Sequence, residues 1–198
     1  MKAKRRMGLM GGAFDPPHAA HVALAQAALT HLALDELRLI PTGSPWHRAH
    51  PPVAAAVHRL AMCRLAFADL PHIVIDDREA RRSGPSYTID TVRELQREHP
   101  DVDWYLIIGA DQARAFQTWQ QWQELLRRVH LVVADRDPQA GQWQNTALTA
   151  AISLPFDPMV VSATQIRQAL GSGQSSPWLH PRVLGYIQQH QLYFTPSP

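Results

Sequence analysis

Short apolar runs alternate with helical stretches along this 198-residue chain, and no other feature limits its fold so strongly. Arg6 to Met10, Glu36 to Ile40, His72 to Asp76, the opening of DWYLIIGAD and His130 to Ala134 read as strands. Helical spacing appears over about Ala20–Leu32, Ala54–Phe67, Thr88–Glu98 and Trp119–Arg128, and again over VVSATQIRQALGSG and Pro181–His190. Pro41 is expected to stop the second strand, and TGSPWHRAHPP reads as a loop. Ser162 and a following glycine suit the two ends of a helix, whereas Asp135 to Ala151 shows no clear period. Strands and helices in alternation predict an α/β fold: an open parallel sheet covered by helices on both faces. Ligands of such sheets bind beyond the carboxyl ends of the strands, near the point where strand order reverses.

The length suits a single domain over residues 1–198 rather than two. At 45% hydrophobic and 18% charged, the chain is too apolar to be disordered. Its net charge of +2 comes from dispersed arginines, which argues against a nucleic-acid-binding role and leaves self-association open. Cys63 is the only cysteine, so an internal disulfide and a cysteine-rich zinc site are excluded. No run approaches the ~20 apolar residues of a membrane helix. A soluble, cytoplasmic protein is the expectation.

One segment stands out chemically. GGAFDPPHAAH, from Gly11 to His21, follows the first strand and precedes the first helix. Two glycines let main-chain N–H groups approach an anion, and a helix start adds unpaired donors and partial positive charge. His18 and His21, three residues apart, can point to one side. The loop matches neither a Walker A sequence nor GxGxxG. Three readings remain open from the residues alone: a phosphate cradle, a metal pair with Asp15 as the one nearby carboxylate, or a strand-to-helix turn with both histidines solvated.

GGAFDPPHAAH resembles the GGTFDPxHxGH signature of the nucleotidylyltransferases, and VSATQIR resembles their ISSTxIR signature. PTGSPWHR, GPSYTIDTV, IIGADQ and FQTWQQW lie between them in the order of the bacterial nicotinate-nucleotide adenylyltransferases, so the resemblance runs from Gly8 to about Tyr193. It departs at Ala13, Ala20, Trp46 and Ala163, where threonine, glycine, proline and serine are usual. A methyl at Ala20 would crowd a nucleotide lying against the backbone there.

The resemblance implies a Rossmann-like fold of nucleotidylyltransferase type and transfer of AMP from ATP to nicotinate mononucleotide, yielding deamido-NAD and pyrophosphate. Mg²⁺ would accompany ATP, bridging phosphate oxygens without a dedicated protein cage. By the same resemblance, His18 and His21 are catalytic. Gly11, Gly12, Phe14, Asp111, Ser162, Thr164 and Arg167 bind ATP. His47, Arg48, Ser86, Tyr87, Thr88, Trp119 and Arg136 bind the mononucleotide, with Trp119 stacking on its ring. The bland alternatives are helix capping by Ser86 to Thr88 or by Asp111, core packing for Trp119 and Trp122, and a solvated Arg167. Cys63 reads as core. Other acceptors, chiefly nicotinamide mononucleotide or phosphopantetheine, and a noncatalytic nucleotide binder are the competing functions.

Overall fold

The computed structural model describes residues 4–43, 52–134, 148–156 and 159–194. Its strands are β1 (Arg5–Gly12), β2 (Glu36–Pro41), β3 (Ile73–Ile75), β4 (Val102–Gly109), β5 (His130–Ala134) and β6 (Ile152–Leu154). They form one sheet in the order β3-β2-β1-β4-β5-β6, and every pairing is parallel. The order reverses between β1 and β4. The glycine-rich turn at the end of β1 therefore opens at the switch point.

Both faces are covered, as the near-continuous apolar strands require. Met7 and Leu9 of β1, with Trp104, Leu106 and Ile108 of β4, face one core. That core is closed by α4 (Thr88–Glu98), α5 (Ala110–Arg114) and α6 (Trp122–Arg128). Met10, Tyr105, Ile107 and Val132 face the other, under α1 (Ala19–His31), α2 (Ala56–Ala66), α7 (Ala163–Gly171) and α8 (Pro181–Gln189). Cys63 lies wholly within this second core, where burial pushes its thiol far above the ordinary range and removes its reactivity. No helix among the described residues is long and apolar enough to cross a membrane.

Several expected boundaries move. Gly11, Gly12 and Pro41 belong to strands, with Gly12 in register with Pro41. The first residues expected in the second helix, Ala54 and Ala55, precede α2, because main-chain groups of Ala54 are tied elsewhere. Trp119 is not helical: it ends a 3₁₀ turn at Phe116–Thr118, and α6 starts only at Trp122. The sequence pattern does not signal α3 (Arg78–Arg81), α5 or β6, each of five residues or fewer. One turn cannot sustain a helix by itself.

For α3, the support is ionic. Arg78 bonds Glu98 of α4 through both terminal nitrogens, at 3.0 and 2.9 Å, and its Nε bonds Asp76 at 2.9 Å. Arg82 grips Glu94 of α4 with two bonds of 2.9 Å. Arg38 on β2 reaches Asp76 at 3.2 Å, completing a bridge from sheet to α3 to α4. Burial alone would raise the Asp76 carboxyl, but hydrogen bonds and charge from Arg78, with Arg38, outweigh it and hold the group below its usual range. A depressed folded value contributes stability above the unfolded pKa of about 3.9 and loses it as pH falls through the folded value. Asp76→Asn should therefore cost about 2 kcal/mol at pH 7, and the gap to wild type should close in urea titrations below about pH 4. A gap constant with pH would contradict this account.

Candidate active site

The glycine turn is built around two buried charges. Asp15, 3% exposed, accepts from the main-chain N–H groups of Val53 at 2.7 Å and Ala54 at 3.1 Å, and from the Tyr193 hydroxyl at 2.7 Å. Arg59, 2% exposed, donates to the carbonyls of Ala13 at 2.8 Å, Thr42 at 2.6 Å and Ala54 at 3.1 Å. Together they lock the turn to the end of β2, the approach to α2 and the C-terminal segment. Phe14 takes a left-handed conformation (φ 49°), and the Asp15–Pro16 bond is cis. A Cβ on Gly12 would stand 3.2 Å from the Phe14 ring, so glycine suits this close turn.

His18 and His21 meet at the start of α1. His18 is the N-cap and its N–H donates to His21 Nδ1 at 3.2 Å, which assigns the proton of a neutral His21 to Nε2 as a donor. The ring centroids are 3.8 Å apart. His18 is buried, at 4% exposure, so the reading with both histidines solvated fails. Ala20, on the first turn of α1, is buried in the core.

The second phosphate-type motif arrives at the same turn. Arg167 on α7 donates to the Asp15 carbonyl at 2.7 Å and to Thr164 Oγ1 at 3.2 Å, and lies 3.8 Å from the Asp15 carboxylate. Arg167 is thus anchored rather than a solvated face residue. Ser162 is the N-cap of α7: its hydroxyl accepts from the Gln165 N–H at 3.2 Å, while Gln165 Oε1 accepts from Ser162 N–H at 3.1 Å. A stretch of 152 residues separates Asp15 from Arg167, yet the fold makes them neighbours.

Beyond the carboxyl ends of β1, β2 and β4 lies a largely apolar slot. Its walls include Leu9, Ile40, Leu106, Ile108 and Trp119, with Gly11 and Gly12 along one edge. Trp119 packs on Phe116, with centroids 5.2 Å apart, and faces the slot as well as the core. Trp122 joins the core and not the slot. Thr88 lines the slot from the first turn of α4. Tyr87 is the N-cap of that helix without a capping side-chain bond, and the buried Ser86 hydroxyl points to the Glu79 carbonyl at 3.5 Å. Of the Ser86 to Thr88 segment, Thr88 lines the slot, and the N-cap Tyr87 makes no side-chain capping bond. Asp111 is exposed in the first turn of α5 and pairs with Arg114. His47, Arg48, Trp46 and Arg136 lie outside the described residues.

Sequence reasoning missed Thr42, Glu79, Thr91 and Gln112 in the slot, and Arg59 and Tyr193 beneath the turn. Thr91 was detectable, being one turn after Thr88 on α4. Glu79 was not, since α3 leaves no periodic signal. Gly43 is also exacting: a Cβ there would lie 2.1 Å from the Glu79 carbonyl oxygen, so the end of β2 presses directly on α3.

Comparison with known proteins places this geometry in context. The model of a cytidylyltransferase-like family matches residues 9–169. A relative from Albidiferax ferrireducens, named "Probable nicotinate-nucleotide adenylyltransferase", is 45% identical over 96% of this chain and 99% of its own. One of the same name from Bordetella avium is 44% identical, over 96% and 98%. Among solved structures, Plasmodium falciparum nicotinic acid mononucleotide adenylyltransferase complexed with NaAD superposes with a TM-score of 0.76, covering 98% of this chain and all of the other. At 19% identity, that likeness concerns the fold.

Arg59→Met should lower unfolding free energy by about 3 kcal/mol by orphaning three carbonyls under the turn, read as a shift in urea midpoint with an unchanged slope. An unaltered midpoint would remove Arg59 from its structural role.

Proposed function

The chain belongs to the cytidylyltransferase-like family, and from that footing we propose that it transfers AMP from ATP to nicotinate mononucleotide, forming deamido-NAD and releasing pyrophosphate in NAD biosynthesis. The observation that carries this reading is the adjacency of two unlike compartments at the switch point. His18, His21, Thr164 and Arg167 gather donors on one side of the glycines, and an apolar slot walled by Trp119 opens on the other. The names of the full-length relatives support the same chemistry.

The reaction needs no general base. A phosphate oxygen of the mononucleotide, largely deprotonated at neutral pH, attacks the α-phosphorus of ATP, and the bond to the bridging oxygen of pyrophosphate breaks. The enzyme must align two anions and stabilise charge on the leaving group. His21 Nε2–H, the His18 ring and the Arg167 guanidinium supply donors for the triphosphate. Main-chain N–H groups at Gly11, Gly12 and Phe14 approach it, Ser162 and Thr164 frame the start of α7, and exposed Asp111 contacts the ATP ribose. Asp15 has both carboxylate oxygens engaged by Val53, Ala54 and Tyr193, so it is ill suited to hold a metal. Mg²⁺ would instead be held by phosphate oxygens and water, neutralising charge on the departing pyrophosphate.

On the acceptor side, the ring stacks on Trp119 while Ser86, Tyr87 and Thr88 shape the wall. His47, Arg48 and Arg136 remain assigned to the mononucleotide on sequence grounds. The buried single thiol suits a reducing cytoplasm as the proposed compartment.

With Mg-ATP and each acceptor in turn, nicotinate mononucleotide should be turned over in preference to nicotinamide mononucleotide and phosphopantetheine. Efficient turnover of phosphopantetheine alone would reject the assignment. His21→Ala should reduce kcat by about 10²–10³-fold in a protein that still folds, as for loss of one transition-state donor. Near-normal turnover would remove its catalytic role. Trp119→Ala should raise KM for the mononucleotide about tenfold with little change for ATP, and equal losses for both would refute stacking.

A further inference from the structure

Among the described residues lining the apolar slot, Glu79 alone is ionisable. It is 6% exposed and sits on α3, a single turn held in place by the arginine bridges to α4. Its Oε1 accepts the Thr91 hydroxyl at 2.8 Å. The same hydroxyl oxygen receives Arg82 at 3.3 Å, so its proton is committed to the carboxylate. Arg82 spends its paired bonds on Glu94 instead. Glu79 is thus a carboxyl group whose direct donor is a neutral hydroxyl; burial pushes it above the usual range despite Thr91 and Arg82, and a cation beside it would favour its ionised form.

An alkylated pyridine ring, as in the proposed acceptor, carries a fixed positive charge. Next to Trp119, such a ring gains cation–π attraction, and low-polarity walls strengthen its attraction to a carboxylate. We infer that Glu79 supplies the countercharge for the pyridinium nitrogen, so that charge at this nitrogen, which stands beside the acceptor's own ring carboxylate, and not shape alone, helps to hold the mononucleotide. This inference rests on the acceptor reading above. It accounts for a buried carboxyl residue lining the slot together with Leu9, Ile40, Leu106 and Ile108, where burying a charge otherwise costs stability. It also gives α3 a purpose: the arginine bridges fix the position of a charge that a flexible loop would leave in water.

The test compares two probes that differ in ring charge, nicotinate mononucleotide and its uncharged 1,4-dihydro form, by calorimetric titration of the full chain. Wild type should favour the pyridinium form, and Glu79→Gln, nearly isosteric, should reduce that preference on the order of tenfold. The loss should fall on the charged probe, with ATP affinity unchanged. An unchanged preference in folded Glu79→Gln overturns the inference and leaves the acceptor assignment standing. Wild type binding neither probe overturns both. Should Glu79→Gln fail to fold, Thr91→Val removes the hydroxyl that holds the carboxylate and should reduce the preference about threefold; an unchanged preference there likewise overturns the inference.

Discussion

A guanidinium and a carboxylate buried under one turn organise this molecule. Arg59 collects the carbonyls of Ala13, Thr42 and Ala54, and Asp15 collects the amides of Val53 and Ala54 with the Tyr193 hydroxyl. Neither charge would be tolerated in a core without such partners. With them, the left-handed Phe14 and the close pair His18–His21 are held in one arrangement. Arg167 reaches the same turn through the Asp15 carbonyl, so the placement of two distant motifs depends on one local scaffold.

That scaffold divides the carboxyl edge of the sheet into two chemical environments. Polar donors cluster where α1 and α7 begin, each helix start adding partial positive charge. Across the two glycines, strand side chains and Trp119 make an apolar slot. A reaction between two phosphates needs the first environment; recognition of a flat ring needs the second. Under the proposed function, placing them on either side of a strand end without side chains would bring the two reactants together with no intervening Cβ.

Much of this was legible from residue order. The alternation of strands and helices, the parallel sheet, the histidine pair and the value of Trp119 over Trp122 all follow from local pattern or from motif resemblance. Elements of one turn were not legible. The α3 segment REAR is braced by Arg78 binding Glu98 and by its C-cap Arg82 binding Glu94, partners that lie beyond the local pattern. Trp119 has helical spacing to Trp122, yet a 3₁₀ turn intervenes and turns its ring to the slot.

The sequence by itself determined the periodicities, and hence which stretches become strands, which faces are apolar and where a glycine turn precedes a helix. These depend on neighbours within a few residues and survive without the rest of the chain. Tertiary structure alone decided which distant groups share a buried volume: Arg59 with Ala13, Asp15 with Tyr193, Arg167 with the histidine turn, Glu79 with Thr91. Hydrogen bonds across 12 to 178 residues depend on the packed fold, because closing such loops costs entropy that local pattern cannot repay.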